Sequence, residues 1–157
     1  MLSLASLMIS HPVAPHGATE IAEGLRPVLL RLARELRRET EQVGVTSRQV
    51  TLLWLVRRSP GLSLRELAAE EGISAPALSG HVDRLEVAGL LERVRSTEDR
   101  RRVGLVLTPE GEQLLRRVRA RRTTWLNAGL ERLDPHELEA VARALPALRR
   151  LAGEEPA

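Results

Sequence analysis

The sequence predicts a mainly α-helical chain that carries one small β-hairpin. Three observations lead there. The 157 residues include 29 Leu, 18 Ala and 24 Arg but no Phe or Tyr, and Leu, Ala, Arg and Glu are good helix formers. Apolar residues recur at helical spacing from Ile21 to Leu36, Leu52 to Val56, Leu78 to Leu85 and Leu138 to Leu148. Between Leu90 and Leu107 the period drops to two around a polar centre. A length of 157 residues with 43% hydrophobic residues supports one core of ordinary size.

The first helix runs from about Thr19 to Glu41, and Pro27 in its second turn is expected to bend it or delay its start. Thr46 with Gln49 is a capping-box pair that opens the second helix, which stops before Ser59-Pro60-Gly61. Ser63 with Glu66 opens a short third helix that Gly72 ends. Ser74 is the next N-cap candidate, and Pro76 fits the first turn of a fourth helix ending at Gly89. Leu90–Arg95 and Arg102–Leu107 read as two strands, with Ser96 to Arg101 as their polar tip. Thr108 caps a long helix with Pro109 at its first position, reaching about Glu131. Asp134 and Glu137 cap the last helix.

Composition also restricts chemistry. With no Cys, disulfides, thiolate metal ligands, cysteine nucleophiles and thiol redox sensing are excluded. His11, His16, His81 and His136 form no ligand pair at i,i+3 or i,i+4. No Gly-rich phosphate loop or nucleophile–base pair is suggested, so neither an enzyme nor a cofactor or metal is expected. No apolar run approaches the roughly 18 residues of a membrane span. Residues 1–18, apolar but without a basic segment, read as a flexible arm of a cytoplasmic chain.

Every basic residue is Arg, which places the isoelectric point near 11.0 although the net charge is only +3. The distribution is more informative. Residues 90–122 hold ten Arg against five acids, whereas residues 63–89 hold two Arg against five. A basic segment of this kind points to a polyanionic partner.

Two short capped helices joined by the tight turn at Gly72, then a hairpin with an arginine tip, make a helix-turn-helix followed by a wing. The stretch Ser63 to Ala68, Ser74 to Ser79 and Val82-Asp83-Arg84-Leu85-Glu86 resembles the helix-turn-helix of the MarR family. So do Gly89 to Arg93, Glu98-Asp99-Arg100-Arg101 and Leu107-Thr108-Pro109-Glu110-Gly111; together the resemblance covers roughly residues 20–152. It implies a winged helix-turn-helix lobe at 46–108, a dimerisation region at 19–45 and 109–152, and a tail at 153–157. The function implied is sequence-specific binding of double-stranded DNA by a homodimeric repressor, released from a pseudo-palindromic operator by a small, often aromatic, ligand. Two alternatives stand beside it: a constitutive or activating DNA binder without effector, and a winged-helix protein-interaction module that no longer binds DNA.

A recognition helix can read base edges in the major groove. Its candidate contacts are Ser74, Ala75, Pro76, Ser79, Gly80 and Arg84, with Ser74 suited to a phosphate and also to a plain capping role. Arg84 either meets DNA or pairs locally with Asp83 or Glu86. Relatives often carry Lys or Arg where this chain has Ala75 and Gly80, and Gly80 costs about 1 kcal/mol of helix propensity. In the wing, the resemblance places a minor-groove cation at Arg100 or Arg101, with Arg101 favoured. Asp99 braces that loop by pairing with Arg101, and Arg95 and Arg102 flank the tip to meet phosphates. Residues 116–122 hold five Arg in seven positions. They are either a solvated face balanced by Glu35, Glu39 and Glu41 or part of a pocket for an acid, with Trp54 as core or as pocket wall. Ile21, Leu25, Val28 and Leu32, with Leu138, Val141, Leu145 and Leu148, are the candidate dimer interface.

Overall fold

The computed structural model describes residues 17–70, 72, 74–95 and 102–153. The order is α1 (Ala18–Glu41), α2 (Ser47–Arg58), α3 (Leu64–Glu70), α4 (Ala75–Val87), β1 (Leu91–Arg95), β2 (Val103–Leu107), α5 (Pro109–Leu130) and α6 (Pro135–Leu151). Two compact units separate along the chain, one ending at Glu35 and one running from Leu36. Pro27 does not delay α1, which begins at Ala18 and continues through it. Pro27 is exposed, and so is Glu23, whose carbonyl the proline leaves without an N–H partner.

The helix starts follow the capping chemistry. Gln49 N–H donates to Thr46 Oγ1 at 3.2 Å, and the Gln49 side chain accepts from Thr46 N–H at 2.9 Å. Ser63 N–H donates to Glu66 Oε2 at 2.7 Å, and Asp134 Oδ1 accepts from Glu137 N–H at 2.8 Å. Each box satisfies two backbone donors that a helix start leaves open.

The core of the second unit draws on every element from α2 to α5. Leu53, Val56, Leu67, Val82, Leu85, Leu91, Leu105, Leu114, Leu115 and Val118 are buried. Emptying any one of these leucine sites to alanine costs about 2–5 kcal/mol. Leu78, Val82 and Leu85 hold one face of α4 against this core, which turns its other face outward.

β1 and β2 pair antiparallel, with Leu91 opposite Leu107 and Arg95 opposite Val103. The α2–α3 connection adds to the sheet edge. Gly61 N–H donates to the Leu105 carbonyl at 2.8 Å, and Leu105 N–H donates to the Leu62 carbonyl at 2.9 Å. Gly104 lies against the Gly61 backbone so closely that a Cβ there would overlap it.

The start of α5 is fixed in a similar way. Thr108 Oγ1 donates to the Gly89 carbonyl at 2.6 Å and accepts from Gly111 N–H at 3.1 Å. A Cβ on Gly111 would strike the Leu90 carbonyl. The Leu107 to Gly111 motif therefore clamps α5 to the end of α4 and the start of β1.

The terminal helices bury little. Thr40 is the buried residue of α1, and α6 has none. Ile21, Val28 and Leu32 are exposed, as are Leu138, Val141 and Leu145, while Leu25 and Leu148 are half-buried. Among the described residues, no helix is long and apolar enough to cross a membrane.

Candidate nucleic-acid interface

The outward face of α4 carries most of the expected contact residues. Ser74, Pro76 and Arg84 are exposed, and Ala75, Ser79 and Gly80 are half-buried. Ser74 has the extended backbone of an N-cap, with φ −72° and ψ 142°, but its side chain makes no capping bond. Pro76 falls within the first turn, where its missing N–H has no helical partner to lose.

The acids beside Arg84 are used by another residue. Arg93 of β1 donates to Asp83 Oδ1 at 2.7 Å and pairs with Glu86. Arg84 instead directs Nη2 at His81 Nδ1, 3.0 Å away. Desolvation, then the charges of Arg84 and of Arg48 on α2, hold His81 below its usual pKa. The ring is therefore neutral at neutral pH, and Nδ1 accepts from the guanidinium.

The wing has a second latch. Arg102 Nη2 lies 2.5 Å from Glu66 Oε1 on α3, with the two side chains 57% and 40% exposed. The same Glu66 carboxylate closes the α3 capping box. Its pKa lies below the usual value chiefly through the Ser63 backbone N–H, then the Ser63 side chain, with a further contribution from Arg102. Strand β1 is thus tied to α4, and the residue before β2 is tied to α3. Arg95 is exposed at the end of β1. Asp99, Arg100 and Arg101 lie outside the described residues.

Sequence reasoning missed both latches. Asp83 and Glu86, spaced i,i+3 with an Arg seven residues on, are the local signal that could have revealed the first. It also missed Val87, which is 90% exposed on α4.

Trp54 lies outside the core and is 39% exposed. With Thr51, Leu55, Arg57 and Arg58 it lines an open groove of about 650 Å³. The Arg57 guanidinium sits 5.0 Å from the Trp54 ring centroid and pairs with Glu112 at 3.3 Å. In the arginine run of α5, Arg121 pairs with Glu39 at 3.0 Å and also contacts Gln42. Arg122 donates from Nε and Nη2 to Thr40 Oγ1 at 3.0 and 2.8 Å. Desolvation lowers its pKa, and no carboxylate pairs with it among the described residues. Nor do the described residues contain a cluster of three or more metal-ligating side chains.

Residues 45–103, which span α2 to the start of β2, match the MarR family model. A candidate transcriptional regulator protein of Pseudomonas aeruginosa PA01 superposes with a TM-score of 0.74 at 32% identity, over 87% of this chain and 97% of that one. The chain belongs to the MarR family. This MarR chain is also 36% identical over 87 residues to FarR, an HTH-type transcriptional regulator of Neisseria gonorrhoeae, covering 55% of this chain and 60% of FarR. It is 28% identical over 134 residues to MdtR, an HTH-type transcriptional repressor of Bacillus subtilis (strain 168), covering 85% and 86% of the two chains. The fold is that of MarR winged-helix proteins, mostly helical with a two-stranded antiparallel hairpin.

Proposed function

We propose that the protein is a homodimeric transcription regulator that binds a pseudo-palindromic DNA site and represses from it. The observation that carries this reading is the joint exposure of the outer face of α4 and the hairpin, locked to each other by Arg93. A helix-plus-wing surface of this kind suits simultaneous contact with a major groove and the adjoining backbone or minor groove. Ser74 and the start of α4 meet a phosphate. Ala75, Pro76, Ser79 and Gly80 lie along the groove edge. Arg95 and Arg102 meet phosphates, Arg102 while held by Glu66. Repression is supported by the likeness to MdtR, a repressor.

In the wing tip, Arg101 enters the minor groove, with Arg100 beside it, and Asp99 braces the loop. Arg101→Ala is expected to weaken binding by about 1–3 kcal/mol. Asp99→Ala is also expected to weaken it, although charge counting predicts the opposite. Fluorescence anisotropy on a bound duplex, at matched salt and with the dimer intact, checks both. Tighter binding by Asp99→Ala removes the brace, and unchanged affinity of Arg101→Ala removes the inserted cation from that position.

Release by a small aromatic acid is the effector reading. The Trp54 groove falls in the size range of ligand sites, and Arg122 is a partly desolvated guanidinium that pairs with no carboxylate among the described residues. A panel of aromatic acids that neither raises the melting temperature nor releases bound duplex leaves a constitutive or activating binder in its place. A second reading, a protein-interaction module without DNA binding, draws on Gly80 and Ala75 and on two wing-stem arginines occupied by acids.

A further inference from the structure

We propose that the Arg84 guanidinium, which lies back over Gly80 and on His81, is the base-reading group of α4. The assignment rests on the DNA-binding reading above and specifies its reader. Long side chains in a helix lean toward its N-terminus, so the surface over residue 80 is covered by a residue about one turn further on. Arg84 does this: a Cβ built on Gly80 would lie 3.8 Å from Arg84 Nη1. The space that a side chain at 80 would occupy therefore holds a guanidinium anchored four residues later.

Three features make that guanidinium a reader. Among the described residues no carboxylate neutralises it, because Asp83 and Glu86 are taken by Arg93. It is oriented, because Nη2 donates to His81 Nδ1 at 3.0 Å. It retains most of its five N–H donors, whose planar fork matches O6 and N7 of guanine in the major groove. The absence of a side chain at Gly80 lets the helix approach the groove while the arginine fork stays between them. His81 acts here as a positioning residue: its neutral ring accepts the bond that sets the fork, without itself meeting DNA.

The test is selection of bound sites from random duplex DNA by the full chain and by its Arg84→Ala and His81→Ala variants, followed by binding isotherms at several salt concentrations. The wild type is expected to select a guanine at one position of each half-site. Arg84→Ala should lower discrimination against other bases there by roughly tenfold or more, with other positions unchanged. His81→Ala should lower it at the same position. Uniform weakening across all sequences by Arg84→Ala, with a salt slope lower by about one, makes Arg84 a phosphate contact and overturns the assignment. A normal guanine preference in Arg84→Ala overturns it as well. Selection of no duplex by the wild type overturns the DNA-binding reading and this assignment together, whereas the two preceding outcomes leave that reading standing.

Discussion

Gly104→Ala is expected to lower stability by about 2–3 kcal/mol, a fall of roughly 5–10 °C in melting temperature. The reason is geometric. The added Cβ would meet the carbonyl, Cα and C atoms of Gly61, which are backbone and cannot rotate away. The strand or the α2–α3 connection has to shift, and the bonds joining Gly61 and Leu62 to Leu105 shift with it. Gly80→Ala should change stability in the opposite direction, by about 0.5–1 kcal/mol. There the new Cβ meets only Arg84 Nη1, at an ordinary 3.8 Å, inside a helix. Thermal melts of the two variants check the pair. A Gly104→Ala melting temperature equal to that of the wild type contradicts the close packing of β2 on the loop.

The second large effect concerns the terminal helices. Val28 and Leu145 are 53% and 47% exposed, and they belong to apolar stripes that the single chain leaves open. Such stripes on two helices suit an isologous interface across a two-fold axis. A Val28→Asp, Leu145→Arg double variant is expected to sediment as a monomer where the wild type sediments as a dimer. Loss of the second half-site should weaken operator binding by about a hundredfold or more. A wild type that is monomeric at micromolar concentration removes the dimer and the palindrome inferred from it.

Much of the fold was legible because its signals are local. The capping pairs at Thr46, Ser63 and Asp134 each announce a helix start within four residues, and the structure forms all three boxes. Thr108-Pro109 announces α5 in the same way. What sequence could not show is how charges pair across elements. Arg93 is spent on Asp83 and Glu86, and Arg102, expected to meet phosphates, also holds Glu66. Arg84 was set against those same acids, yet it turns to His81. Each choice depends on which side chains the packing of α3, α4 and the hairpin brings within reach. Ser74 shows the same limit on a smaller scale. Residue type gave the cap position, and the structure has the cap backbone without the cap bond. The close approach at Gly104 is long-range as well, since Gly61 lies 43 positions away. The Gly111 motif was recognisable as a pattern, while its cause, contact with the Leu90 carbonyl, required the fold.

The central claim, that this MarR-family chain reads DNA as a symmetric dimer, is tested most directly by recovering the sequences that the full-length protein enriches from random duplex DNA. The account predicts a pseudo-palindrome whose half-sites lie one helical turn apart, about 34–36 Å centre to centre. Enrichment of a single asymmetric half-site, or no enrichment at all, contradicts it.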